Sequence, residues 1–384
     1  MKKSRKNILE LCLAAAVVFT LASFSLVSKA KLYIPSGTYK VGTFGVELTD
    51  SARLEDATAA PDDRRRLLVQ FWYPAAAETT GEPAPYHTHP EQFNHDIQHL
   101  YSIPALLTSK LSESTTNAFL KAKPAADMAQ YPVLIFSHGM NGSRFQSTFQ
   151  MEELASQGYI VVSIEHTFTA SGTVLGDGTK GATIPFARMK DFSFADKLIT
   201  RWSDDQIFVI DYLEQLKPTD AAGLLAGRLD MDRLGLFGHS FGGATAAATL
   251  TRDSRPKAGI NLDGFYFGQY YKQGFSQPFL EIRSEAKPAA EMKDKELAKE
   301  WDMTREYYQF LMFDEWHRRI EMYANNGYES MVIKGSNHMS FSDFPLIMPL
   351  KWLLAKDTEN HHRQTNQATL SFFNKHLGLA TVSR

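Results

Sequence analysis

A serine flanked by glycines is the residue whose surroundings most clearly indicate chemistry. Residues 238–243 read GHSFGG, after the short apolar run 234–237 and before a stretch of small residues, 244–248. This order predicts a strand, a sharp turn and a helix, the context in which a G-x-S-x-G pattern exposes a nucleophilic serine. The turn strains the backbone at Ser240, so glycine is needed two residues before and after it. A glycine-rich turn without a catalytic role is the alternative, and the flanking strand and helix argue against it.

A serine hydroxyl becomes a strong nucleophile only when a base removes its proton. Among the twelve histidines, His338 lies in the sequence KGSNH directly after the last predicted core strand, 330–333. The order nucleophile, acid, base along the chain requires the base at this place. His239 lies in the turn and points away from its neighbour's hydroxyl, whereas His361 and His362 follow in a polar stretch and fit less well. We therefore predict His338 as the general base.

Two carboxylates are candidates for the acid that orients this base. Asp263 directly follows the predicted strand 258–262, and Glu285 follows the next one, 278–282. Either would hold the histidine in one tautomer and stabilise its cation. Either could instead be a solvated loop carboxylate. Sequence spacing alone leaves the choice between them open.

An acyl-transfer site also needs donors for the oxyanion of the tetrahedral intermediate. One predicted donor is the backbone N–H of Phe241, the residue after the nucleophile. The other comes from the glycine-containing loop 137–142 (SHGMNG), which follows the apolar run 132–136. Within that loop we favour the amide of Met140.

Short apolar runs with abrupt polar ends repeat through the second part of the chain, as is typical of buried parallel strands. Helical patterns at 147–157, 194–215 and 242–250 separate them. The alternation predicts an α/β protein with a mostly parallel sheet covered by helices on both faces, and the strand–turn–helix context of Ser240 makes this the α/β-hydrolase fold. Strands at 39–48 and 67–73 would make the sheet mixed. The runs are 132–136, 158–164, 233–237, 258–262, 278–282 and 330–333.

The chain organisation predicted from these patterns is one domain over residues 31–384, with inserted helical segments near 90–125 and 284–325. Residues 75–89 have a loop composition. The apolar stretch 345–354 borders the acyl pocket, contacts a lipid surface or is a buried core segment.

The amino terminus has the features of a secretory signal peptide. Residues 1–30 begin with the cationic sequence MKKSRK, continue with an apolar run and end in SKA, which predicts cleavage after Ala30. An uncleaved anchor through residues 8–27 is the alternative, although its apolar run is shorter than the about 20 residues that span a bilayer. In both cases the main body is exported, either secreted or periplasmic.

Several function classes are excluded by composition. The single cysteine, Cys12, lies in the apolar run, so the exported part has no disulfide, thiolate metal site or cysteine nucleophile. The formal net charge of −2 gives no reason to expect a nucleic-acid partner. His87 and His89 are two residues apart, but nothing nearby completes a set of metal ligands. We predict no metal site and no cofactor.

The chain resembles the platelet-activating-factor acetylhydrolases, in particular the secreted and type II enzymes, and looks like a bacterial member of that family. The resemblance extends from about Tyr39 to a little beyond His338. Its motifs occur in the family's order, and they are FWYP at 71–74, FSHGM at 136–140, SIEH at 163–166, GHSFGG at 238–243, GINLD at 259–263 and GSNH at 335–338. The insertion at 284–325 departs from the family's pattern.

What the resemblance implies is specific. The family's acid corresponds to Asp263, and its oxyanion donors to Met140 and Phe241. The resemblance also implies a calcium-independent enzyme that needs no cofactor. Such an enzyme releases short or oxidised acyl groups from the second position of phospholipids. Its partners would be a lipid ester substrate and, peripherally, a lipid surface. The alternatives are a broad carboxylesterase, lipase or polyester hydrolase, and an inactive α/β-hydrolase scaffold that acts as a binding protein.

Overall fold

The computed structural model describes residues 32–378, except 109, 186–187, 189–190, 286–293, 295–303, 326 and 348–356. The predicted signal or anchor lies outside the described residues, as do part of the insertion 284–325 and most of the apolar stretch 345–354. In the part that is described, no helix combines the length and apolar character needed to cross a membrane.

A single mixed sheet organises the described residues. Its spatial order is β10-β9-β8-β7-β5-β6-β2-β1-β4-β3. The strands from β5 to β10 pair in parallel, whereas β2 is antiparallel to both β6 and β1. The strands are β1 (Lys40–Leu54), β2 (Arg64–Ala75), β3 (Pro83–Pro85), β4 (Thr115–Leu120), β5 (Tyr131–Ser137), β6 (Ile160–Glu165), β7 (Leu229–His239), β8 (Ala258–Leu262), β9 (Phe279–Ser284) and β10 (Tyr328–Ile333).

Helices pack on both faces of this sheet. On one face α3 contacts α8, and on the other α4 contacts α5, which also packs on β7 and β8. The described helices are α1 (Pro90–Tyr101), α2 (Ala105–Thr108), α3 (Thr148–Ser156), α4 (Phe192–Glu214), α5 (Phe241–Leu250), α6 (Arg305–Asn325), α7 (Phe344–Ile347) and α8 (Thr358–Leu377).

The central strand β5 shows why the sheet is covered on both sides. All seven of its residues are buried. Leu134 and Phe136 belong to the apolar core that includes α3 and α8, whereas Val133 and Ile135 belong to the core that includes α4. Because successive side chains of a strand point to opposite faces, a strand buried on both faces is a continuous apolar run. The α/β-hydrolase architecture predicted from these runs is confirmed.

Two segments differ from their sequence predictions. The segment near 90–125 is only partly helical, because α1 and α2 are followed by β4, which pairs in parallel with β1. The predicted loop 75–89 contains the short strand β3, which is antiparallel to β4. Both strands extend the sheet at the edge away from β10.

Candidate active site

The turn between β7 and α5 has a strained backbone at Ser240. Its φ of 56° and ψ of −121° lie in a region that L-residues rarely adopt. A Cβ added at Gly238 would lie 2.3 Å from the carbonyl carbon of Gly242, and one added at Gly242 would lie 2.0 Å from the carbonyl oxygen of Ser137. The glycines therefore allow the tight turn that presents the Ser240 hydroxyl.

Three predicted site residues lie within hydrogen-bond distance of one another. His338 Nε2 is 3.0 Å from Ser240 Oγ, and His338 Nδ1 is 2.8 Å from Asp263 Oδ2. Ser240 follows β7, Asp263 follows β8, and His338 lies in the loop after β10. The carboxyl ends of these parallel strands meet at one edge of the sheet, which is where α/β folds carry their sites. The arrangement can transfer a proton from the serine hydroxyl to an imidazole whose opposite nitrogen faces a carboxylate.

The carboxylate of Asp263 is held by donors as well as by the histidine. Ser284 donates its backbone N–H to Oδ1 and its hydroxyl to Oδ2, each at 2.8 Å. Burial raises the pKa of Asp263, but the hydrogen bond and charge of His338, together with both Ser284 donors, outweigh it and hold the pKa below its usual value. Asp263 is therefore ionised at neutral pH.

The alternative acid, Glu285, has a different place in the structure. Its Oε2 accepts a hydrogen bond of 2.8 Å from the backbone N–H of Gly335, at the start of the loop that carries His338. Asp263, not Glu285, contacts the imidazole. Glu285 thus anchors the loop of the base.

The loop after β5 lies directly against the nucleophile. A Cβ added at Gly139 would be 3.2 Å from the Cβ of Ser240. Asn141, with a positive φ of 58°, shapes the loop by pairing its side-chain amide with both backbone groups of Ile184. Among the described residues, no acceptor engages the backbone amide of Met140 or Phe241. Both amides remain our proposed oxyanion donors.

His239 has a role that sequence reasoning missed. Its Nε2 lies 2.8 Å from the carbonyl oxygen of His338, and its Nδ1 contacts Nε2 of Gln146. Gln146 Oε1 in turn accepts the backbone N–H of Gly139 at 2.9 Å. Burial and the charge of His338 lower the pKa of His239 to about 3. No local pattern indicates these contacts, because they join residues that are distant along the chain.

The other histidines considered from the sequence make contacts elsewhere. His361 and His362 are buried on α8, where His362 Nε2 is 3.0 Å from the carbonyl oxygen of Ser342. His87 is buried and stacks on Phe93. Among the described residues, no group of three or more histidine, cysteine or acidic side chains is arranged to hold a metal ion.

A groove of about 920 Å³ lies between the first described residues and α8. Its lining includes Tyr33, Phe149 and His362 but none of the three residues of the hydrogen-bonded site. The groove is therefore separate from the contacts among Ser240, His338 and Asp263.

Comparison with known proteins gives a consistent result. The family model described as "Platelet-activating factor acetylhydrolase, isoform II" matches residues 25–178 and 219–382. A probable 1-alkyl-2-acetylglycerophosphocholine esterase from Arthroderma benhamiae is 24% identical over 87% of this chain and 81% of its own length. The platelet-activating factor acetylhydrolase of Canis lupus familiaris is 28% identical over 65% of this chain, and the match spans only 58% of the dog protein.

A solved structure shares the fold. The ferulic acid esterase from Streptomyces cinnamoneus superposes with a TM-score of 0.68 over 93% of this chain and 95% of that one. The two sequences are 23% identical, so the likeness concerns the fold alone.

Proposed function

We propose that this chain releases short or oxidised acyl groups from the second position of phospholipids. The chain belongs to the family of platelet-activating factor acetylhydrolase, isoform II. It is an ester hydrolase by family. One observation carries the proposal of where it acts, namely the continuous contact from Ser240 through His338 to Asp263. The activities that give the fungal and dog relatives their names support the choice of substrate.

The proposed mechanism follows from these contacts. Ser240 Oγ attacks the ester carbonyl while His338 Nε2 takes its proton, and Asp263 stabilises the resulting imidazolium. The amides of Met140 and Phe241 bind the oxyanion. Collapse of the intermediate breaks the ester bond, and His338 protonates the departing alcohol. A water molecule, deprotonated by His338, then attacks the acyl carbon, and His338 returns the proton to Ser240 Oγ as the carboxylic acid leaves.

Peripheral contact with a lipid surface is also part of the proposal, and α6 supports it. Five large apolar side chains spaced along this helix are exposed by 44–63%, and they are Tyr307, Phe310, Phe313, Trp316 and Ile320. The opposite face of α6 lies at the active site, since Arg319 donates to the carbonyl oxygen of Gly264, next to the acid Asp263. An exposed aromatic stripe is suited to a membrane interface. A lipid held there would lie across α6 from the residues next to Asp263.

We also propose that the protein is exported, with residues 1–30 as a cleaved signal and an anchor through residues 8–27 as the alternative. The composition of residues 1–30 supports this. The amino-terminal sequence of protein recovered outside the cytoplasm tests it. A start within a few residues of Lys31 is expected, whereas an intact amino terminus in the membrane fraction supports the anchor.

A broader carboxylesterase, lipase or polyester hydrolase is the second candidate, and one observation favours it. The side chain of His338 is 48% exposed, so the proposed base is open to solvent and to bulky esters. An inactive binding scaffold fits less well, because such scaffolds lack a member of the triad and all three groups are in contact here.

A substrate panel tests the proposal. An acetyl-phospholipid, a long-chain phospholipid, simple aryl esters, triglyceride and polyester film are each supplied with a calcium chelator. We expect the acetyl-phospholipid to be cleaved, and an active-site phosphonate to label the wild-type protein but not Ser240→Ala. Loss of a triad nucleophile lowers turnover by about a million-fold in a well-studied protease. Preference for triglyceride or polyester supports the second candidate, and labelling of Ser240→Ala contradicts the assignment of the nucleophile.

A further inference from the structure

His239 lies between two parts of the active site that are otherwise separate in sequence, the loop of the base and the oxyanion loop. We propose that His239 is a positioning residue which, with Gln146, fixes both loops in one register. The proposal rests on the proposed function, because it assigns His239 a role in the reaction of Ser240. His239 itself contacts the main chain of His338 and not the reacting hydroxyl.

The hydrogen-bond polarity of this connection is determined at every step. The carbonyl oxygen of His338 can only accept, so His239 Nε2 must carry the proton. In a neutral imidazole the other nitrogen is then an acceptor, and it receives the side-chain N–H of Gln146. This orientation turns the amide oxygen of Gln146 toward the N–H of Gly139. Each of these three contacts joins a donor to an acceptor, and one tautomer of His239 alone satisfies all three.

The protonation state of His239 supports this single arrangement. His239 is buried, and its pKa is lowered to about 3, mainly by burial and then by the neighbouring charge of His338. Among the described residues, the charged groups that act on the ring are His338 and Asp263. A neutral ring keeps its Nδ1 lone pair for Gln146, whereas a protonated ring would set an N–H against the amide hydrogens of Gln146.

The two ends of the connection are the parts of the site that must stay in place. The carbonyl of His338 belongs to the base, whose ring lies with its centroid 4.6 Å from that of His239. Gly139 immediately precedes Met140, whose amide we propose as an oxyanion donor. Displacement of the His338 side chain would weaken its contact with Asp263. Displacement of the oxyanion loop would reduce only the stabilisation of the transition state.

Two substitutions separate the two ends. In His239→Asn the shorter amide oxygen lies near the former Nδ1 and can still accept from Gln146, but the side chain is too short to reach His338. In His239→Gln the terminal amide reaches the former Nε2 position and can donate to His338, but it no longer accepts from Gln146. The remote His376 of α8, which contacts Phe372, provides the control His376→Asn.

The measurements are kcat and kcat/KM for a soluble aryl ester across pH, with thermal unfolding to check the fold. We expect His239→Asn to lower kcat, because a base less firmly held against Asp263 takes the proton of Ser240 less readily. We expect His239→Gln to lower kcat and kcat/KM together by about tenfold, as for an interaction made only in the transition state. His376→Asn should match wild type. If both His239 variants match wild type, the proposal is wrong.

Nitrogen-15 NMR of the wild-type protein tests the proposal even if the variants fail to fold. We expect the His239 ring to remain neutral and protonated at Nε2 down to about pH 5. A ring protonated at Nδ1, or one that titrates near pH 6.5, overturns it. Phosphonate labelling of wild type distinguishes failure of the proposed function from failure of this proposal. If the protein is not labelled, both the proposed function and the role of His239 are refuted. If it is labelled but the ring of His239 has the other tautomer, only the role of His239 is refuted.

Discussion

Asp263 and Ser284 are joined by two hydrogen bonds of 2.8 Å, one to each carboxylate oxygen. The pairing of β8 with β9 brings them together, and the backbone N–H of Asp263 also donates to the carbonyl of Ile282. The carboxylate is thereby fixed in orientation before His338 contacts it. Ser284, on the strand after Asp263, orients this carboxylate, and the next residue, Glu285, anchors the loop that carries His338.

This relationship predicts a ranking of two carboxylate substitutions. Asp263→Asn keeps the size of the side chain but can present an N–H to His338 and favour the wrong tautomer. We expect a loss of about ten-thousand-fold in kcat, as in the protease triad. Glu285→Gln retains an acceptor for Gly335 and should cost far less. Turnover of both purified variants on an aryl ester measures the ranking, and the reverse order would assign the acid to Glu285.

The buried side chain of His362 should make the free energy of unfolding depend on pH. Burial chiefly lowers its pKa to about 3, so the unfolded chain, with a pKa near 6.5, binds more protons between these values. The contribution of His362 is therefore complete above pH 6.5 and is lost as the pH falls toward 3. Between pH 7 and pH 5 the loss is on the order of 2 kcal/mol. His362→Phe should weaken this dependence in denaturant unfolding.

Wild type must be compared with the variant, because buried carboxyl groups change the free energy of unfolding with pH in the opposite direction. Burial raises the pKa of Asp343 and of Glu315 to about 8. Their contributions are present below an unfolded pKa near 4 and are lost as the pH rises toward 8. The exposed His99 provides the control substitution His99→Phe. If His362→Phe and wild type lose the same free energy between pH 7 and pH 5, His362 is not held neutral.

The parts of the fold that the sequence predicted are those with strong local patterns. The run 258–262 forms β8 with the predicted bounds, and Ser240 lies in the expected strand–turn–helix context. By contrast, only half of the β4 sequence TTNAFL is apolar, and β3 is an edge strand that begins and ends with proline. Edge strands tolerate proline and lack a buried face on both sides, so their pairing depends on a neighbouring strand that no local pattern identifies.

The same limit applies to the site. Chain order and the elbow pattern indicated Ser240 and His338, but spacing alone could not separate Asp263 from Glu285. The family resemblance favoured Asp263, and its contact with His338 is a tertiary fact. The connection through His239 joins residues 99 apart along the chain. The direction of the His239 side chain depends on where the loop that carries His338 folds back. No local sequence pattern indicates that position.

If the exposed aromatic side chains of α6 bind lipid, their removal should weaken lipid binding without changing catalysis on soluble esters. Phe313 and Trp316 are 61% and 55% exposed, and burying an aromatic side chain contributes about 1.5–3 kcal/mol. The double variant Phe313→Ser and Trp316→Ser should bind phosphatidylcholine vesicles at least about tenfold more weakly. Its kcat/KM for a soluble ester should be unchanged. Leu224→Ser, at an exposed position outside α6, is the matched control.

Vesicle sedimentation measures this binding. Equal binding of the double variant and wild type would show that α6 is not the contact. A loss of soluble-ester activity in the double variant would instead indicate that the aromatic stripe forms part of the substrate site.

Acyl length is the property that most sharply divides the proposed function from its alternatives. Met140 and Phe241 pack in an apolar cluster with Phe194, Phe267 and Tyr270. The ring of Phe267 lies 5.1 Å from that of Phe241, so an apolar wall adjoins the proposed oxyanion donors. Each methylene that fits gains about 0.8 kcal/mol, roughly fourfold in kcat/KM, whereas one that meets the wall gains nothing. We expect kcat/KM to peak at two to about four acyl carbons.

The measurement uses soluble aryl esters below their micelle concentrations. Phe267→Ala should move the optimum to longer chains by removing part of the wall, while the remote His376→Asn should leave it unchanged. A profile of the wild-type protein that keeps rising to long chains, with activation at an oil–water surface, would identify a lipase. The apolar stretch 345–354 would then be the candidate lid, because it follows the base directly along the chain. The contacts among Ser240, His338 and Asp263 serve either chemistry, so it is the wall beside Phe241 that this experiment tests.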